Sequence, residues 1–204
     1  MADKPTLDPS RTALLVMDYQ NDLVARGGLV APKDEAVLQQ MEVAMQAAAG
    51  AMETARKAGV PVIHVAVGRQ SGEPPMNPHM TVIGTLAKAN AAVLGTWGFA
   101  FHDLVQPLPE ETVIVKPVVS AFAGSSLDLM LRAQGIDSLA MSGYATNFVV
   151  EGTARDAADR GYRVIILEDA CVAGNPERHK AAIRNLHLVG TVTDCAVFGA
   201  AVGR

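Results

Sequence analysis

Cysteine, aromatic residues, charge and long apolar runs are all scarce in this sequence. Its 204 residues hold two cysteines, Cys171 and Cys195, which form neither a disulfide framework nor a zinc-ligand pattern. Reduced thiols are therefore expected. Aromatics make up 4% of the chain, so the core has to come from Ala, Val, Leu, Ile and Met. Charged residues make up 19%, the net charge is −4, and no run of Lys or Arg occurs. That excludes the electrostatic footprint of a nucleic-acid or anionic-membrane binder. No apolar run approaches the roughly 20 residues a membrane span needs. Met1-Ala2-Asp3-Lys4-Pro5 has no apolar signal region, and the expected compartment is the cytoplasm.

What the chain does have is apolar content. Half of its residues are hydrophobic, enough for one domain with a substantial core, and residues 1–204 read as a single domain. After a polar lead-in over 1–10, Thr12 to Met17 is a continuous apolar run, the pattern of a strand buried on both faces. It stops at Asp18-Tyr19-Gln20-Asn21-Asp22. From Asp34 to Ala58 apolar residues recur every three or four positions, which predicts an amphipathic helix ended by Gly59. Further strands are expected at 60–67, 112–116, 138–142, 163–167 and 189–193. Helices are expected from Ser125 or Ser126 to Gln134, over Asn147–Arg160, and from Pro176 to about Leu188. Residues 68–98, rich in Gly and Pro, form a long connection of the kind that walls or covers a site, with a short helix around Val82–Ala92.

Strands alternating with helices predict a three-layer α/β/α fold around a mainly parallel, doubly wound sheet of six strands. Ligands bind such sheets beyond the carboxyl ends of the strands, where Asp18, Lys116 and the turn at 143–149 all fall. Each has a plain structural reading as well. Asp18 could be a turn-forming carboxylate, or a general acid/base tuned by partial burial and a nearby cation. Lys116 could be a snorkelling surface lysine. With strand order 3-2-1-4-5-6 it instead lies two strands, about 10 Å, from Asp18, within reach of a lysine stem. Gln20 could orient a substrate or water. Thr146 and Asn147 are natural N-caps, and the N–H groups of Ala145 and Val149 could cradle an oxyanion. Trp97, Phe99, Phe122 and Tyr144 are candidate pocket residues. His64 lies inside an apolar strand and reads as a core histidine.

Several of these stretches together resemble the isochorismatase-like hydrolase superfamily over roughly residues 10–195. They are Asp18-Tyr19-Gln20-Asn21-Asp22, Gly95-Thr96-Trp97-Gly98, Lys116, and Ser120-Ala121-Phe122 with Leu127-Asp128. To these add Gly143-Tyr144-Ala145-Thr146-Asn147 with Glu151, Thr153-Ala154-Arg155-Asp156-Ala157, and Glu168-Asp169-Ala170-Cys171. The resemblance implies a homodimer or homotetramer, and a non-proline cis peptide, which here would join Tyr144 and Ala145. Most members hydrolyse small amides, ureido compounds or lactams through an Asp–Lys–Cys triad. Carried over, the Asp is Asp18, the Lys is Lys116, and the cysteine position holds Val149.

A thioester route needs a thiolate, and valine supplies none. The metal-binding branch has an Asp-x-His pattern after the second strand. Here that region reads His64-Val65-Ala66-Val67-Gly68-Arg69, so neither metal nor cofactor is expected. The isochorismatase branch lacks the cysteine and uses Asp as a general acid. The expected activity is accordingly a hydrolase of a small molecule with Asp18 as acid/base, Lys116 as its electrostatic partner and water as nucleophile. Two alternatives stand beside it: an amide or ureido hydrolase whose cysteine has been replaced, by nature or by design, and a non-catalytic small-molecule-binding relative.

Overall fold

Each of the six expected strands forms, and all belong to one sheet. The computed structural model describes residues 6–203; Met1 to Pro5 of the expected polar lead-in lie outside the described residues. The strands are β1 (Thr12–Met17), β2 (Val62–Val67), β3 (Thr112–Lys116), β4 (Ser138–Tyr144), β5 (Arg163–Val172) and β6 (Thr191–Thr193). They lie in the order β3-β2-β1-β4-β5-β6, the expected one, and every neighbouring pair is parallel. β1 is buried at all six positions, because helices cover both faces of the sheet.

One face carries α2 (Glu35–Ala58), whose stripe Leu38, Met41, Met45, Ala48, Met52 and Ala55 packs against Leu14 and Val16 of β1. Burying each Leu or Met of such a stripe contributes about 1.5–3 kcal/mol. Asp34 caps this helix by accepting from the Ala36 N–H at 2.8 Å. On the other face α4 (Leu127–Ala133), α5 (Glu151–Asp159) and α6 (Pro176–Leu186) pack against Ala13, Leu15 and Met17.

Three elements depart from the sequence reading. β5 runs five residues past its expected end at Leu167. Glu168 and Asp169 are exposed, but the strand shifts register there, and Cys171 and Val172 pair with Gly143 and Tyr144. An exposed acidic pair looks like a strand end in sequence even when it is a bulge. The helix expected at Asn147–Arg160 starts as a π-helical turn, Thr146–Val150, before α5; such single wide turns occur often at functional sites. Finally, α7 (Cys195–Val202) is a helix that the sequence hid, since it is apolar nearly all round and shows no period. Only Asp194, whose carboxylate accepts from the Val197 N–H at 2.7 Å, marked its start.

The long connection is docked onto the turn after β1, where a short helix, α1 (Asn21–Val24), forms. The Asn21 side chain donates to the Trp97 carbonyl at 2.9 Å, and Asp22, 3% exposed, accepts from the Ala92 N–H at 2.8 Å. Gly98 is packed so closely on Asp22 that an added Cβ would lie 2.0 Å from its Oδ2. Gly98→Ala is therefore expected to lower stability by about 1–3 kcal/mol, read as a lower urea midpoint with an unchanged m-value.

Candidate active site

Asp18 leaves β1 in the left-handed region, φ 58°, a conformation Asp tolerates better than most residues. That turn sends its carboxylate sideways over the end of β2. Oδ1 accepts from the Val67 N–H at 3.0 Å, and Oδ2 receives the Lys116 ammonium at 2.8 Å. Lys116 pairs with Val67 in the sheet, so Val67 stands between the two residues. The lysine also donates to the Val118 carbonyl at 3.0 Å. It is 1% exposed, which rules out the snorkelling alternative. Burial raises the Asp18 carboxyl above its ordinary value of 3.8, and the Lys116 charge opposes that rise without cancelling it.

The pair opens into a cavity of about 270 Å³, lined as well by Tyr144, Ala145, Asn147, Phe148 and Val149. The bond from Tyr144 to Ala145 is cis. Val149 is 1% exposed and lines the cavity with an apolar, unreactive side chain. Further apolar lining comes from Leu23, Val30 and the helix α3 (Thr81–Lys88), through Val82, Ile83 and Leu86. The long connection thus shapes the site by its helix.

Four expected binding residues are elsewhere. Gln20 is fully buried, and its amide is consumed by the backbone: it donates to the carbonyls of Val67 and Phe99, both at 3.0 Å, and accepts from the Val67 N–H. It braces the connection and orients no substrate. Trp97 is 58% exposed and lies outside the cavity lining, as does Phe99. Phe122 is in the core, stacked on Tyr162 at 5.8 Å. An aromatic in a loop carries no sequence mark of the side it faces. Of the aromatic candidates, Tyr144 lines the cavity. The short helix expected in the long connection is α3, though its lining residues Val82, Ile83 and Leu86 were not singled out. Sequence reasoning missed the start of α6, where Gly174, Asn175 and Arg178 reach the cavity; Asn175-Pro176, a helix start directly beyond a strand end, was the available signal.

Neither cysteine lines the cavity. Cys171 is buried with its thiol pushed up to about 12 by burial, and burial likewise raises Cys195. His64 contacts Glu111 at 3.2 Å through Nε2, while Nδ1 has no partner, so this core histidine is half satisfied. Among the described residues no group of three His, Cys, Asp or Glu side chains is placed to share a metal ion, and no helix is long and apolar enough to cross a membrane.

The comparison with known proteins agrees with this fold. The isochorismatase domain model matches residues 12–197. The chain belongs to the isochorismatase family. Within that hydrolase family it is 36% identical, over 211 aligned positions, to the ureidoacrylate amidohydrolase RutB of Methylobacterium radiotolerans, covering 97% of this chain and 81% of that one. The crystal structure of an isochorismatase family protein from Desulfovibrio vulgaris matches with a TM-score of 0.79 at 29% identity, covering 95% of this chain and 99% of that one. A cysteine hydrolase from Pseudomonas syringae matches with a TM-score of 0.87, covering 100% and 99%, at 21% identity, a likeness of fold alone.

Proposed function

We propose that this isochorismatase-family hydrolase cleaves a C–N bond of a small ureido or amide compound without forming a covalent intermediate, using Asp18 to move the proton and water as nucleophile. The observation that carries this reading is the buried Asp18–Lys116 pair facing the same cavity as Val149. In the protonated form favoured by burial, Asp18 gives its proton to the leaving nitrogen. Water adds to the carbonyl carbon and returns a proton to the Asp18 carboxylate, so the group is restored and one water is consumed per bond broken. Lys116 holds the carboxylate while it is ionised, and the N–H groups of Ala145 and Val149 face the developing oxyanion. No cofactor takes part, and the enzyme is a homodimer or homotetramer, a state that light scattering on the purified chain measures.

The test is steady-state hydrolysis of 3-ureidoacrylate, 3-ureidopropionate and simple amides, with intact-mass analysis of quenched enzyme. Turnover with no adduct is the expected result. An adduct on any side chain overturns the non-covalent route, and no turnover across the panel overturns the hydrolytic reading.

The identity to ureidoacrylate amidohydrolases favours a second reading, in which the covalent route is latent and only its sulfur is missing. Val149→Cys then gains ureido hydrolysis and a trappable acyl-enzyme. If the thiol is added and neither ammonia release nor an adduct follows, that reading fails.

A further inference from the structure

We propose that Arg178 sets the specificity of this cavity by receiving a carboxylate at the end of the substrate remote from Asp18, with the Tyr144 hydroxyl donating a second hydrogen bond to it. This rests on the cavity being the substrate site.

The chain pairs most of its partnered arginines with acids: Arg11 with Asp137, Arg26 with Glu35 and Glu42, Arg56 with Glu111, Arg155 with Glu151, and Arg132 and Arg160 with Asp128. Arg178 has no such partner among the described residues, and it lines the Asp18–Lys116 cavity. Its position is also electrostatically wrong for the fold. It is the third residue of α6, where the helix dipole presents its positive end and disfavours a cation. The Asn175 side chain already caps this end, accepting from the N–H groups of Glu177 at 2.9 Å and Arg178 at 3.1 Å. The guanidinium therefore contributes nothing to helix capping. An anion beside it would meet both the fork of the arginine and the positive helix end.

Tyr144 supplies the matching neutral donor. Its hydroxyl lies 3.1 Å from where a Cβ on residue 174 would stand, so Gly174 leaves it room beside the start of α6. That hydroxyl makes no hydrogen bond to protein among the described residues, and burial raises it above its ordinary value, keeping its proton in place. The same cavity has apolar walls from Leu23, Val30, Ile83, Leu86 and Phe148. The complementary ligand is a reactive carbonyl and a carboxylate joined by a short apolar span. At about 270 Å³ the cavity falls just below the usual range of ligand pockets, about 300–1,000 Å³, which keeps that span short.

Binding separates this inference from the hydrolytic one. The probes are 3-ureidopropionate and its neutral analogue 3-ureidopropionamide, titrated calorimetrically into the native chain, Arg178→Gln, Arg178→Lys and Tyr144→Phe. The native chain should prefer the carboxylate. Arg178→Gln should weaken carboxylate binding by about 10- to 100-fold and leave the amide unchanged; Arg178→Lys should recover part of the loss, and Tyr144→Phe should weaken the carboxylate alone. No carboxylate preference in the native chain, or equal losses for both probes, overturns the assignment. A carboxylate preference that depends on Arg178, found without turnover, supports Arg178 while overturning the hydrolytic reading.

Discussion

Asp18→Asn is expected to lower kcat on a ureido substrate by about 10²–10⁴-fold, the usual worth of a positioned acid/base. The substitution keeps the shape of the side chain and an acceptor for the Val67 N–H, which Asp18 Oδ1 binds at 3.0 Å. What it removes is the proton that can be given and taken back. KM should change far less than kcat, because the walls that hold the ligand come from other residues. The pH profile gives a second check. Burial raises the Asp18 carboxyl above 3.8, and the donating form is the protonated one. The native rate should therefore fall as pH rises through that raised value, on a limb above 3.8. A rate that rises through this limb makes Asp18 a base acting on water, and full activity in Asp18→Asn removes it from the chemistry altogether.

The second large effect is on stability. Lys116→Met keeps the volume of the stem but strands Asp18 without its cation and leaves the Val118 carbonyl without its donor. Removing one member of a buried ion pair costs about 3–5 kcal/mol, and this pair has side chains 1% and 9% exposed. The loss should be pH-dependent in a definite direction. In the folded native chain the Asp18 carboxyl is already raised, so its favourable contribution is complete below about 3.8 and is lost as pH rises through the folded value. Taking away Lys116 removes the charge that opposed the rise and extends that window upward. Urea midpoints of Lys116→Met should therefore approach the native midpoint in acid and fall away from it at neutral and alkaline pH. A deficit independent of pH would mean that packing, and not the stranded carboxylate, carries the cost.

Asp18 and Lys116 were legible because each directly follows or closes a strand that its apolar run announces, and Val149 because it lies in the turn beyond the fourth such strand. In a parallel sheet those ends lie at one edge, so three local signals point to one place. Gln20 shows the limit of that logic: the right address, but a side chain consumed by the Val67 and Phe99 backbone. Trp97 and Phe122 show another: the Trp97 backbone docks the connection, and Phe122 fills the core beside Tyr162. Arg178 carried only the mark of the helix start at Asn175-Pro176. It is one exposed cation in the first turn of an ordinary helix, and its meaning depends on the absence of a partner.

The sequence by itself determined the alternating α/β elements of a parallel sheet and placed an unreactive Val149 beyond its fourth strand, because period, strand ends and residue identity are local properties; the strand order entered as a property of the doubly wound fold, and the structure has it. Only the tertiary structure decided that the Asp18 carboxylate and the Lys116 ammonium meet at 2.8 Å in a buried site, and that α3 and the start of α6 close the cavity around them. The reason is physical. Burial, and with it the raised carboxyl of Asp18, is set by atoms from elements far apart in the chain, and no single stretch of sequence contains them.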